Sequence, residues 1–352
     1  MAHPTASTKN SDGDELITLS EKGAYGFTNS FNPEFKMPDY FRVFRWLFAK
    51  NNTGLPANIE ELDETLPVIK HKPEDIRKQS PGLRFLWIGH ASCLVQIDDF
   101  MFLTDPVFSD RCGITQYMGP KRYRPPALAV KDLPDELEAI VISHNHFDHL
   151  DYESVRQLNE RYGEKLTWFC GLGGRQWFLD CSIKNVVELD WWQEWTHPTK
   201  EKVQIAFCPA QHWSRRALTD LNQSLWGGYA IWNEKYRFYF AGDTGYTHNI
   251  PIFRQIGKKY GPFDLSAIPI GAYEPRWMME AQHVSPHEAV QIHIDTQSKK
   301  SIGIHWGTWA LANEFYLEPR EQLKEAVKSC GLDPESFTVV KHGEIFDLPK
   351  NE

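Results

Sequence analysis

What the chain lacks narrows its class first. No stretch reaches the roughly 18–20 consecutive apolar residues needed to span a bilayer as a helix. The first thirty residues are polar and hold no apolar run of the signal-peptide kind. Positive charge is not in excess: 38 Lys and Arg face 47 Asp and Glu, a net of −9. A nucleic-acid partner needs a concentrated basic surface, so none is expected. The six cysteines (Cys93, Cys112, Cys170, Cys181, Cys208 and Cys330) form no CxxC pair. A chain of 352 residues can bury a core without covalent staples, so they read as free thiols in a reducing compartment. The expected location is intracellular, cytoplasmic or peripherally associated with internal membranes. Gly171–Gly174 has no phosphate-loop spacing and reads as a turn.

What is present is an ordinary globular composition, 41% apolar and 24% charged, with 13 Trp, 13 Tyr and 21 Phe. Most of these rings belong in a core, and a surplus also suits a lipid or apolar ligand. Residues 1–38, rich in Ser, Thr, Asn, Gly and Pro, read as a flexible tail. Residues 39–82 read as an aromatic amphipathic helix plus a polar connector. Tyr40, Phe41, Phe44, Leu47 and Phe48 share one helical face. That face has three candidate partners: a lipid surface, the catalytic domain, or a second chain in a homodimer.

From Leu83 the text becomes short apolar runs broken by turns, with helical segments between them. Tyr152–Tyr162 has helical periodicity. Ser285, Pro286 and Glu288 form the N-cap, first-turn proline and capping box of another helix. A third runs from about Pro319 to Cys330 and is closed by Gly331. One α/β (α+β) domain over residues 83–352, with an N-terminal extension, fits this alternation.

The chemistry is concentrated after the apolar run Glu138–Ile142, in His144-Asn-His146-Phe147-Asp148-His149. Alternate side chains of an extended segment point the same way, so His144 and His146 can reach one metal. Past a turn, Asp148 and His149 can face a second. Imidazole with carboxylate suits zinc, or less well iron or manganese. Three further donors follow apolar runs: His212, Asp243 and His305. The small residues Ala241, Gly242, Gly245 and Gly307 beside them permit close backbone approach.

HxHxDH followed by a single His, an Asp and a His resembles the metallo-β-lactamase superfamily. The wider text is similar to the N-acylphosphatidylethanolamine-hydrolysing phospholipase D family. Gln116-Tyr-Met-Gly-Pro-Lys-Arg122, Leu189-Asp-Trp-Trp192, Ala267-Ile-Pro-Ile-Gly-Ala-Tyr-Glu-Pro-Arg276 and Ile304-His-Trp-Gly-Thr308 carry that likeness, which runs from about Leu83 to Gly343. The resemblance implies a four-layer αββα sandwich with two Zn²⁺ at one edge. It implies that His144, His146 and His212 hold the first zinc, that Asp148, His149 and His305 hold the second, and that Asp243 bridges them. It also implies a membrane-surface phospholipid substrate, cut by a hydroxide shared between the zincs to give N-acylethanolamine and phosphatidic acid. Asp243 and His283 are the candidate catalytic residues, with Gln282, His283 and Phe147 at the substrate. Phe147 departs from the family pattern, where a Tyr is expected. The alternative on the same fold is a lactonase, thioesterase or other phosphodiesterase acting on a soluble substrate. Asp105 reads as a partner of a ligand histidine or as a turn-initiating Asp before Pro, and His90 as a structural histidine or a ligand partner; Lys121, Arg122 and Arg124 read as solvated surface or as a basic cluster that could draw anionic headgroups.

Overall fold

The computed structural model describes residues 17–32, 35, 54–56, 58–77, 82–200, 202–248 and 250–348. The amphipathic segment 39–50 lies outside the described residues. Described structure begins with a hairpin, β1 (Glu21–Gly23) and β2 (Gly26–Thr28), followed by α1 (Ile59–Thr65) and α2 (Pro73–Arg77). Asn58 caps α1 by accepting from the Glu61 amide.

The first large sheet starts as an antiparallel meander of β3 (Leu83–Gly89), β4 (Ser92–Ile97) and β5 (Phe100–Thr104). It continues in parallel through β6 (Ala139–Val141), β7 (Thr167–Gly171) and β8 (Val186–Leu189), with α3 (Tyr152–Tyr162) crossing between β6 and β7 and α4 (Arg175–Asp180) between β7 and β8. The second sheet opens antiparallel with β9 (Glu194–Thr196), β10 (Gln204–Cys208), β11 (Gly228–Trp232) and β12 (Arg237–Phe240). After α5 (Ile252–Tyr260) it turns parallel with β13 (Leu265–Pro269). The short α6 (Arg276–Met279) and then α7 (Pro286–Asp295) lead to β14 (Ser301–Ile304), and α8 (Glu318–Ser329) leads to β15 (Phe337–Thr338). Finally β16 (Ile345–Leu348) returns to the first sheet beside β3.

Strand β3 shows why the layers form. Its stretch Phe85–Ile88 is continuously apolar because both faces are covered there. Phe85 and Trp87 enter the core between the sheets, whereas Leu86 and Ile88 enter a second core on the outer face with Leu158 of α3. Between the sheets, Phe238 meets Phe85 and Phe102 at ring centroid distances of 6.3 and 5.7 Å. On the far face Val290 and Ile292 of α7 and Leu323 of α8 complete the stack. The result is helix–sheet–sheet–helix, the sandwich that the resemblance implies. Ser285 caps α7 with the reciprocal Ser285–Glu288 bonds expected from the sequence.

The flexible tail expected over 1–38 does not describe residues 17–32. Phe27 and Phe31 are buried in the core between the sheets, and Phe31 lies 5.8 Å from the Trp191 ring. Apolar burial at two aromatic positions offsets the ordering entropy that its polar composition could not.

One core histidine carries a pH prediction. His342 stacks on Trp87 at 4.1 Å. Burial, with Arg124, Arg122 and Lys70 close by, pushes its imidazole down to about 3. An unfolded histidine takes up its proton near pH 6.5. Between those limits the unfolded chain binds more protons, so stability falls as pH drops. His342→Phe keeps the stack and is expected to remove up to about 3 kcal/mol of the acid-side loss between pH 6.5 and 4. Urea midpoints of parent and variant at pH 7 and pH 4.5 test this, and parallel acid limbs would contradict it.

Candidate metal centre

The site grows from the end of β6. The strand stops at Val141, and residues 143–149 bridge to α3, whose N-cap Asp151 accepts from the Ser154 amide at 3.0 Å. This turn presents four donors within six positions. The loop after β10 brings His212, the turn after β12 brings Asp243, and the end of β14 brings His305. All lie at one edge of the sandwich, beyond the C-terminal ends of strands.

Two groups of donor atoms result. In one, His146 Nδ1 lies 2.8 Å from His144 Nε2 and 3.3 Å from His212 Nε2. In the other, His149 Nε2 lies 3.3 Å from His305 Nε2 and 3.4 Å from Asp148 Oδ2. Asp243 Oδ2 sits between the groups. It is 3.1 Å from His149, 3.0 Å from His305, 3.9 Å from His212, 4.0 Å from His144 and 3.7 Å from His283 Nδ1. The structure thus brings together all seven residues expected to bind metal, with His283 beside them.

Surrounding residues set the orientation of these donors. Asp105 accepts from the Ser143 amide at 2.7 Å, the Ser143 hydroxyl at 2.5 Å and His149 Nδ1 at 2.7 Å. It thereby fixes which His149 nitrogen faces the site. His90 Nε2 lies 3.1 Å from Asp148 Oδ2, and its ring meets Trp309 edge-on. The backbone carbonyl of Gln282 takes His212 Nδ1 at 3.0 Å. His90, Asp105 and His305 hold positive φ values of 54, 33 and 61°, the kind of strain that clusters at functional sites. Gly242, at φ 63°, could not be replaced freely, since a Cβ there would lie 2.7 Å from the Ser143 Cβ.

Electrostatics asks for cations. Burial holds the His212 imidazole down to about 3 and His146 to about 4, and drives His144 well below its usual range. Burial alone would raise Asp243 and Asp148, but the neighbouring His149, with His305 for Asp243, outweighs it and holds both ionised. Burial likewise disfavours the His149 imidazolium, and the Asp243 and Asp148 carboxylates overcome it, keeping that ring charged. Neutral imidazoles at His144, His146 and His212 and ionised carboxylates at Asp148 and Asp243 are the protonation states that metal binding requires, while His149 would exchange its proton for the cation. Among the described residues every ion-pair partner of Asp148 and Asp243 is a histidine. Asp243 Oδ1 and His283 Nδ1 are buried beside the donor groups without a hydrogen-bond partner. Buried polar atoms are rarely left so. Nitrogen and oxygen donors in two adjoining groups fit two divalent cations of the borderline class.

Other expected site residues take different places. Gln282 does not offer a free side chain to substrate. Its Oε1 accepts from Trp213 Nε1 and its Nε2 donates to the Met278 carbonyl. Trp213 in turn lies 4.3 Å from the His146 ring. Phe147 packs beneath the Arg216 guanidinium at 4.4 Å, while Arg216 donates to the carbonyls of Asn145 and Leu150. Phe147 therefore braces the turn that carries the donors, and no substrate role is needed to explain it. Phe147→Tyr is expected to change kcat/KM by less than about twofold; a tenfold change in steady-state assays would return Phe147 to the substrate. Arg122 and Arg124 are buried and do not form the expected basic surface. Arg122 donates to the carbonyls of Ser109 and Val107 and lies 4.5 Å from the Trp309 ring, and Arg124 pairs with Asp63 at 2.8 Å. Asn29, missed in the sequence, bonds both sides of the His212 backbone.

Fold and donor arrangement together define a hydrolase of the metallo-β-lactamase class. Residues 101–306 match the family model described as beta-lactamase superfamily domain. The chain is 40% identical to N-acyl-phosphatidylethanolamine-hydrolyzing phospholipase D 1 of Caenorhabditis elegans, over 99% of this chain and 99% of that one. It is 29% identical to the mitochondrial N-acyl-phosphatidylethanolamine-hydrolyzing phospholipase D of Saccharomyces cerevisiae, over 85% of this chain and 70% of that one. Among solved structures, isothiocyanate hydrolase from Delia radicum gut bacteria superposes with a TM-score of 0.57 at 16% identity, covering 75% of this chain and 99% of that one, which speaks to fold alone. The chain belongs to the N-acylphosphatidylethanolamine-hydrolysing phospholipase D family of the β-lactamase superfamily.

Proposed function

We propose that this protein is a dizinc phosphodiesterase that hydrolyses N-acylphosphatidylethanolamine to N-acylethanolamine and phosphatidic acid. The observation that carries the reading is Asp243 Oδ2, placed within 4.0 Å of nitrogens from His144 and His212 of one donor group and His149 and His305 of the other, with His283 beside them. In this reading His144, His146 and His212 would hold one zinc, Asp148, His149 and His305 the other, and Asp243 would bridge them. Two such cations would supply Lewis acidity toward phosphoryl oxygens and would lower the pKa of water toward neutrality. The protein's own groups do the rest. Asp105, His90 and the Gln282 carbonyl hold the donors in one orientation, which spares reorganisation during reaction.

His283 is proposed to hydrogen-bond the phosphoryl or leaving oxygen. Its Nδ1 is buried without a partner beside Asp243. Burial, countered in part by Asp243, pushes its imidazole down to about 3, so it works as a neutral N–H donor near pH 7. His283→Ala is expected to lower kcat by about 10²- to 10⁴-fold with two zincs retained by elemental analysis. Near-normal turnover would remove this role.

A membrane-surface substrate is supported by the loop between Arg111 and Lys121. Ile114, Tyr117 and Met118 are exposed at 76, 92 and 65%. At the loop's base Cys112 packs with Trp309, whose ring meets His90, so this loop springs from beside the donor groups. No helix among the described residues is long and apolar enough to cross a membrane.

The test is a substrate panel for the zinc-loaded protein. N-acylphosphatidylethanolamine in mixed micelles is expected to yield both products by mass spectrometry. Turnover of a lactone or thioester with neither lipid product would favour the soluble-substrate alternative.

A further inference from the structure

We infer that the N-terminal segment is part of the metal site, with Asn29 a positioning residue for His212. This rests on the dizinc reading above. His212 comes from the stretch between β10 and β11, which has no regular secondary structure over residues 212–227. A ligand on such a stretch cannot borrow rigidity from a ladder. Asn29 supplies what a neighbouring strand would. Its Nδ2 donates to the His212 carbonyl at 2.9 Å, and its Oδ1 accepts from the His212 amide at 3.2 Å. One carboxamide thus satisfies both backbone groups of the ligand residue. Asn29 is 5% exposed and His212 fully buried, so water does not replace it.

The neighbouring contacts run the same way. Asn32 Nδ2 donates to Gln211 Oε1 at 2.8 Å, and Gln211 Nε2 donates to the Ala281 carbonyl at 2.9 Å, next to the Gln282 carbonyl that orients the His212 ring. The Phe27 amide donates to the Asn222 carbonyl at 2.7 Å, and the Asn222 amide donates to the Ser214 carbonyl at 2.7 Å. Phe27 and Phe31, buried in the core, anchor the segment on either side of Asn29. The ring of His212 is fixed from one side by Gln282 and its backbone from the other by Asn29. Nε2 is then left to face His146 and Asp243.

The test uses the full chain, and measures both zinc dissociation constants by chelator competition, the melting temperature of the metal-free protein, and kcat/KM. In Asn29→Ala one zinc is expected to weaken about 10- to 100-fold, the range for loss of a ligand's supporting partner. The other zinc stays near its parental affinity, and the metal-free melting temperature falls by a few degrees because two buried backbone groups lose their partner. Adding Asn29→Ala to His212→Ala should weaken zinc no further, because Asn29 acts through His212. Unchanged zinc affinities overturn the inference. So does an equal loss of affinity at both zincs, which marks a purely structural role. If the parent itself binds fewer than two zincs, the dizinc reading fails and this inference with it. Asn29→Ser, whose hydroxyl replaces one of the two bonds, is judged by the same criteria should the alanine variant not fold.

Discussion

Replacing Asp243 by Asn should lower kcat/KM roughly a thousandfold or more, since each decade corresponds to about 1.4 kcal/mol and a metal centre supplies several. The substitution keeps shape and removes charge. Asp243 Oδ2 is the atom on which both donor groups converge, 3.0 Å from His305 and 3.1 Å from His149 on one side and 3.9 Å from His212 on the other. A neutral amide cannot balance two divalent cations there, and its NH₂ end would face histidine nitrogens meant to stay neutral ligands. Steady-state kinetics with zinc content by elemental analysis checks this. A variant within tenfold of the parent and holding two zincs would take Asp243 out of the centre.

Stripping the metal is expected to have a similar effect on rate and a further one on stability. Dialysis against a chelator should abolish turnover, and zinc should restore it. Each site saturated at about 1,000 times its Kd adds roughly 4 kcal/mol to the folded state. The metal-free protein should therefore melt several degrees lower and recover on zinc addition. The reason lies in the cluster itself: the buried Asp243 carboxylate has only histidines as described ion partners, and its Oδ1 and His283 Nδ1 are buried without hydrogen-bond partners. Calorimetry of stripped and reloaded samples makes the comparison. Equal melting temperatures with full activity after stripping would remove metal from the account.

Much of this centre is legible in the sequence because its donors are chemically unusual and sit at strand ends. His144, His146, Asp148 and His149 stand within six positions. His212, Asp243 and His305 each follow an apolar run, and those runs are strands in the structure. The helix Tyr152–Tyr162 and the Ser285–Glu288 cap were readable for the same local reason. What was not legible depends on partners distant in the chain. Asn29 reaches His212 across 183 residues through a side chain whose type is common in tails. Arg122 reads as a surface charge until Trp309 and two carbonyls enclose it. Phe147 reads as a site residue because of its neighbours in sequence, yet its ring is claimed by Arg216, 69 positions on by their numbers. Short strands such as Val186–Leu189 and Glu194–Thr196 carry too few residues for a period to register.

The central claim is hydrolysis at phosphorus on the headgroup side of the diester. The most direct test is one reaction of zinc-loaded protein with N-acylphosphatidylethanolamine in ¹⁸O-labelled water, both products being weighed by mass spectrometry. Attack at phosphorus places one ¹⁸O in phosphatidic acid and none in N-acylethanolamine. Label in the N-acylethanolamine, or a released fatty acid in place of either product, would contradict it.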